Sequence, residues 1–112
     1  METRADEIND LLLQTRDCEP RVRLRAVVHL CPCHVKRNNE QVWERFLSMA
    51  GDSDPKVRRA VLHGLTDGSP RSLERKVVQV LEDMHGDPDQ KVRRKARQIL
   101  AHYRRTGELN IS

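Results

Sequence analysis

Apolar residues recur along this chain in short clusters, three and four positions apart. Ile8, Leu11 and Leu12 form one cluster, Trp43, Phe46 and Leu47 a second, and Val78 with Leu81 a third. An i, i+3, i+4 spacing lays side chains along one side of an α-helix, so each cluster predicts an amphipathic helix. A second set comprises Val22, Ala26, His29 and Leu30, then Val57, Val61, Gly64 and Leu65, then Val92, Ala96, Ile99 and Leu100. These positions also repeat with a helical period, and nothing in the pattern suggests strands.

The two sets interleave at a constant offset. Val22, Val57 and Val92 stand 35 residues apart, as do Arg23, Arg58 and Arg93, Leu30, Leu65 and Leu100, and Asp17, Asp52 and Asp87. Such self-similarity divides the chain into three units, about residues 3–35, 36–70 and 71–107, each a pair of helices. Two short amphipathic helices cannot bury their apolar faces alone, so the units are expected to stack and share one core.

Boundary residues agree with this division. Asp54-Pro55 and Asp87-Pro88 each offer an N-cap carboxylate followed by proline in the first helical turn, with Glu19-Pro20 a weaker version. The third unit carries its proline two residues early, which predicts a second helix beginning up to half a turn sooner. The segments around Pro32, from Thr66 to Pro70, and at Thr106-Gly107 are expected stops. Glu82 stands where earlier units have Leu12 and Leu47, and Arg97 where they have Val27 and Leu62, which predicts a polar C-terminal cap. Leu13 and Leu24 leave the first unit more apolar and permit weak self-association there; otherwise a monomer is expected.

The stretch DSDPKVRRAVLHGL, residues 52–65, resembles the second-helix signature of HEAT-like repeats: an aspartate, a proline, Val-Arg, then small and apolar positions closing on leucine. The likeness extends over all three units. It implies an all-α fold, an α-α superhelix or HEAT-like solenoid of three two-helix repeats, forming a single domain over residues 1–112. It also implies that Asp17, Asp52 and Asp87 form a ladder with Arg23, Arg58 and Arg93 that links neighbouring units, and that the second helices line a concave side. Short HEAT-like proteins serve as adaptors, or as companions to lyase-type and electron-transfer enzymes.

Composition adds a lean toward an acidic partner. The chain has 112 residues, 34% of them charged and only 3% aromatic, with a net charge of +4, which suits a soluble helical domain. There is no apolar run near the length of a membrane span and no leader pattern at Met1, and three cysteines make a disulfide framework an unsuitable reading. The cytoplasm is the expected location, with no membrane partner.

The basic residues are segregated. Arg21, Lys56 and Lys91 lie opposite the core stripe of the second helices, Arg59 and Arg94 follow three residues on, and Arg25, His63 and Lys95 border them. Eight of the 17 acidic residues, Glu2, Asp6, Glu7, Asp10, Glu40, Glu44, Glu74 and Glu82, fall on the first helices. These eight basic residues are the candidate binding set for a protein partner with an acidic surface or peptide. An ordinary solvated helix face is the competing reading. Two other functions stay open: a module binding the backbone of duplex nucleic acid, and an accessory subunit of a lyase-type enzyme. Readout of single-stranded bases is disfavoured, because Trp43 and Phe46 sit on the core stripe.

Catalysis finds no motif. There is no nucleophile elbow, phosphate loop or HExxH, and the five histidines share no repeat position. No enzymatic activity and no cofactor are expected. Cys18, Cys31, Cys33 and His34 have zinc-ligand chemistry. A helix from Pro20 to Cys31, however, would hold Cys18 roughly 16–18 Å from Cys31. Cys31, Cys33 and His34 alone lack a second CxxC and read as a structural corner, so no metal is expected.

Overall fold

The computed structural model describes residues 5–31 and 39–109, and among these residues six α-helices run in sequence. They are α1 (Ala5–Gln14), α2 (Pro20–Leu30), α3 (Glu40–Ser48), α4 (Pro55–Leu65), α5 (Glu74–Met84) and α6 (Gln90–Thr106). Short 3-10 turns at Met49–Gly51 and Arg71–Leu73 extend α3 and lead into α5. No strand occurs among the described residues.

Each odd-numbered helix packs against the even-numbered helix that follows it, α1 on α2, α3 on α4 and α5 on α6. Between pairs, α2 packs on α4 and α4 on α6, while α3 packs on α5. The result is a stack of three helical hairpins, in which α4 packs between α2 and α6. The core runs through the stack. Ile8, Val27, Leu30, Phe46, Val57, Val61, Leu62, Leu65, Val77, Leu81 and Ile99 are its most enclosed large side chains.

Apolar spacing locates most of this core, although Leu11, Leu12, Val22 and Leu47 on the expected stripes are only half-buried. His29 occupies a stripe position in α2 yet is exposed, while Val27 beside it is buried. In α5 the fully buried valine is Val77, and Val78 is only half-buried, so the seam follows Val77, Leu81 and Met84. The equivalent of His29 in the second repeat is Gly64. A Cβ placed there would overlap the ring of Phe46. Phe46 itself is fully buried and meets Trp43 edge-on, with centroids 6.3 Å apart. The third repeat distributes the same volume differently, with Leu81 and Ile99 in the corresponding positions, both buried.

The second helices begin at Pro20, Pro55 and Gln90, spaced 35 residues apart. Hence the early proline of the third repeat does not advance its helix, contrary to expectation. Asp89, not Asp87, is the N-cap, its carboxylate accepting from the Val92 N–H at 3.0 Å. Pro88 lies outside the helix, and Asp87 is drawn into an inter-repeat ion pair instead. Asp54 caps α4 as expected, accepting from the N–H groups of Lys56 and Val57 at 2.8 and 3.3 Å. Glu19 makes no side-chain cap at α2.

At the C-terminal end, Glu82 and Arg97 are exposed. Gly107 stops α6 in the left-handed conformation, with φ of 75°, which glycine adopts without a Cβ clash. The chain then turns back, and Leu109 is buried in the core. The expected stop at Pro32, together with Cys33 and His34, lies outside the described residues.

Candidate functional site

Two sets of polar residues are built by the stack. The first is the Asp–Arg ladder, whose geometry is repetitive and structural. Arg23 donates from Nε and Nη2 to the two carboxylate oxygens of Asp52, at 3.0 and 3.1 Å. One repeat on, Arg58 forks onto Asp87 at 2.9 and 3.0 Å. The remaining nitrogen of each guanidinium turns back to its own repeat. Nη1 of Arg23, Arg58 and Arg93 donates to the backbone carbonyls of Asp17, Asp52 and Asp87 at 2.9, 2.7 and 2.8 Å.

Each aspartate also holds its own turn, accepting from the N–H two residues on at Glu19, Asp54 and Asp89. These bidentate, charge-assisted bonds fix the angle between repeats. Hydrogen bonding to Asp52 raises the pKa of Arg23 above its ordinary value, partly opposed by desolvation.

A second clamp was not legible in the repeat pattern. Arg45 on α3 donates from Nε to Thr15 Oγ1 at 2.8 Å and from Nη2 to the Thr15 carbonyl at 3.1 Å. Thr15 is fully buried just after α1. Burial lowers the Arg45 pKa, and repulsion from Arg16 adds to this. No equivalent of the Thr15–Arg45 pair recurs at the 35-residue offset, since Ala50 and Val80 occupy those positions.

The candidate binding residues all lie on second helices. Arg21, Arg25, Lys56, His63, Lys91, Arg94 and Lys95 are exposed, and Arg59 is half-buried. A shallow groove between α2 and the start of α4 gathers three of them, Arg21, Arg25 and Lys56. Its floor is apolar, made by Pro20, Leu24 and Val28, and Val28 keeps 44% of its surface exposed. Asp54 also lines it, but that carboxylate is engaged by backbone N–H groups at the start of α4. The groove thus presents cations around an apolar strip.

Lys91, Arg94 and Lys95 stand on α6, beyond this groove. Arg59 Nε is buried without a hydrogen-bond partner among the described residues. His63 belongs to a different environment altogether. It lies in the last turn of α4, and its ring nitrogen approaches Cys31 and Asp67. The acidic residues Asp6, Glu7, Asp10, Glu40, Glu44 and Glu82 are exposed on first helices, and Glu74 is half-buried there. No helix among the described residues is long and apolar enough to cross a membrane.

The sequence matches the family model for HEAT repeats over residues 8–101. No curated protein and no solved structure matches the chain.

Proposed function

Because the chain belongs to the HEAT-repeat family, whose repeats generally mediate protein–protein interaction and are typically non-enzymatic, we propose that it is a scaffold or adaptor that binds an acidic, amphipathic segment of a partner protein. The observation that carries this reading is the groove in which Arg21, Arg25 and Lys56 surround Pro20, Leu24 and Val28. An acidic peptide with apolar side chains at helical spacing would satisfy both parts of that surface: carboxylates meet the guanidinium and ammonium groups, and apolar side chains cover Leu24 and Val28. Lys91, Arg94 and Lys95 extend the positive field along the same layer of helices and favour approach of a negatively charged partner. Duplex nucleic acid would need only the cations, and leaves the apolar floor without a role.

The test is a selection from a random peptide library on the full chain, followed by affinity measurement of the enriched peptides. We expect enrichment of Asp and Glu interleaved with Leu or Phe. An Arg21→Glu, Arg25→Glu, Lys56→Glu variant should lose at least about tenfold in affinity for them, the scale of a few lost charge contacts. Enrichment with no acidic pattern, or binding that the triple variant leaves unchanged, would overturn the proposal. So would tighter binding to duplex DNA or RNA with a steep loss of affinity on adding salt.

A further inference from the structure

We infer that Cys31, His63 and Asp67 form a divalent-metal site, with zinc the ion their chemistry suits, that joins the first repeat to the second. Cys31 follows the last residue of α2 and is only 5% exposed, while His63 and Asp67 come from the last turn of α4 and the loop after it. The thiol sulfur, an imidazole nitrogen and a carboxylate oxygen all lie within 4.8 Å of one another.

The distances suit a tetrahedral ion. With zinc–sulfur and zinc–oxygen bonds of about 2.3 and 2.1 Å, the sulfur–oxygen edge of a tetrahedron is about 3.6 Å. Here Cys31 Sγ stands 3.5 Å from Asp67 Oδ2. His63 is exposed, so its ring has room to turn and close the remaining edges around an ion. The donor set of one thiolate, one imidazole and one carboxylate is borderline-soft, which favours zinc over calcium or magnesium. Three protein donors would leave a fourth position of a tetrahedral ion open to water.

Cys31 donates its thiol hydrogen to Asp67 Oδ2. On binding, that proton leaves to solvent, the sulfur becomes a thiolate ligand, and the metal takes the place of the hydrogen between sulfur and carboxylate. His63 in the last turn of α4 and Asp67 in the loop after it converge on Cys31 at the end of α2. The two second helices would then be tied at their C-terminal ends by metal, as Arg23 and Asp52 tie the repeats at the other end.

The experiment uses the full chain, stripped of metal under reducing conditions and titrated with zinc chloride or cobalt chloride. We expect one equivalent to bind, a sulfur-to-cobalt charge-transfer band to appear, and the thermal midpoint to rise with zinc concentration. His63→Ala, at an exposed position, and Asp67→Asn, at a half-buried one, should each weaken binding at least about tenfold and reduce the thermal shift. Cys31→Ser should abolish the charge-transfer band. Because Cys31 is buried and its variant can fail to fold, the His63 and Asp67 variants carry the decision. Absence of stoichiometric binding would overturn the inference, as would zinc affinity unchanged in both His63→Ala and Asp67→Asn. Neither result bears on peptide binding at the Arg21, Arg25 and Lys56 groove, which has its own variants.

Discussion

Gly64 stands in the last turn of α4, where replacing glycine by alanine would ordinarily stabilise the helix by up to about 1 kcal/mol. Its neighbour reverses the sign. A Cβ at Gly64 overlaps Phe46, and that ring is fully enclosed against Trp43, so it has no free volume to yield into. Gly64→Ala is therefore expected to destabilise the protein by about 1–2 kcal/mol net, measured by urea unfolding. Phe46→Leu, which brings the second repeat closer to the Leu81 and Ile99 arrangement of the third, should make the effect of Gly64→Ala smaller than it is in the parent chain. The 35-residue alignment pairs Gly64 with His29 and Ile99 without saying why the three differ. The reason is the size of the side chain contributed by the preceding helix, which appears only when the helices are packed.

Helix boundaries follow local chemistry only where no tertiary bond competes for the capping group. Asp87-Pro88 has the composition of a helix start, yet Arg58 claims the Asp87 carboxylate from the preceding repeat. Asp89 then caps α6, and the three second helices stay in register. Asp89→Ala should cost about 1 kcal/mol by loss of the N-cap. Pro88→Ala, outside the helix, should change the unfolding midpoint far less. Equal losses from both would show that Pro88 still sets the start. The α2 terminus lacks a side-chain cap at Glu19, and Asp17 supports it indirectly by accepting from the Glu19 N–H at 2.9 Å.

For the whole molecule, stability depends on coupling between repeats, because no single hairpin encloses its own core. The Arg58–Asp87 pair is the more enclosed rung, with side-chain exposures of 10% and 8%. Removing one partner leaves a buried charge uncompensated. Arg58→Ala should cost about 3–5 kcal/mol, with amide exchange accelerating in α6 as well as α4, since the rung joins the second repeat to the third. Acceleration confined to α4 would mean that the rung serves its own helix and not the stack. At the two ends the ladder is incomplete: among the described residues Asp17 receives no fork from a preceding repeat, and Arg93 meets no following aspartate.

The period, the helical pairs and the recurring Asp and Arg positions were legible in the sequence because they rest on side chains repeated at a fixed interval; the linking of those positions into a ladder was implied by the resemblance to HEAT-like repeats, and the polar C-terminal end showed as a departure from the interval. Every repeat faces the same packing problem and solves it with the same positions. What the tertiary structure decided were the features that break the repeat: the Phe46–Gly64 exchange, the Thr15–Arg45 clamp, the capping of α6 by Asp89, and the convergence of Cys31 with His63 and Asp67. Each joins residues from different helices or repeats that occupy non-equivalent positions. Periodicity carries no information about such pairs, and only the distances imposed by stacking bring them together.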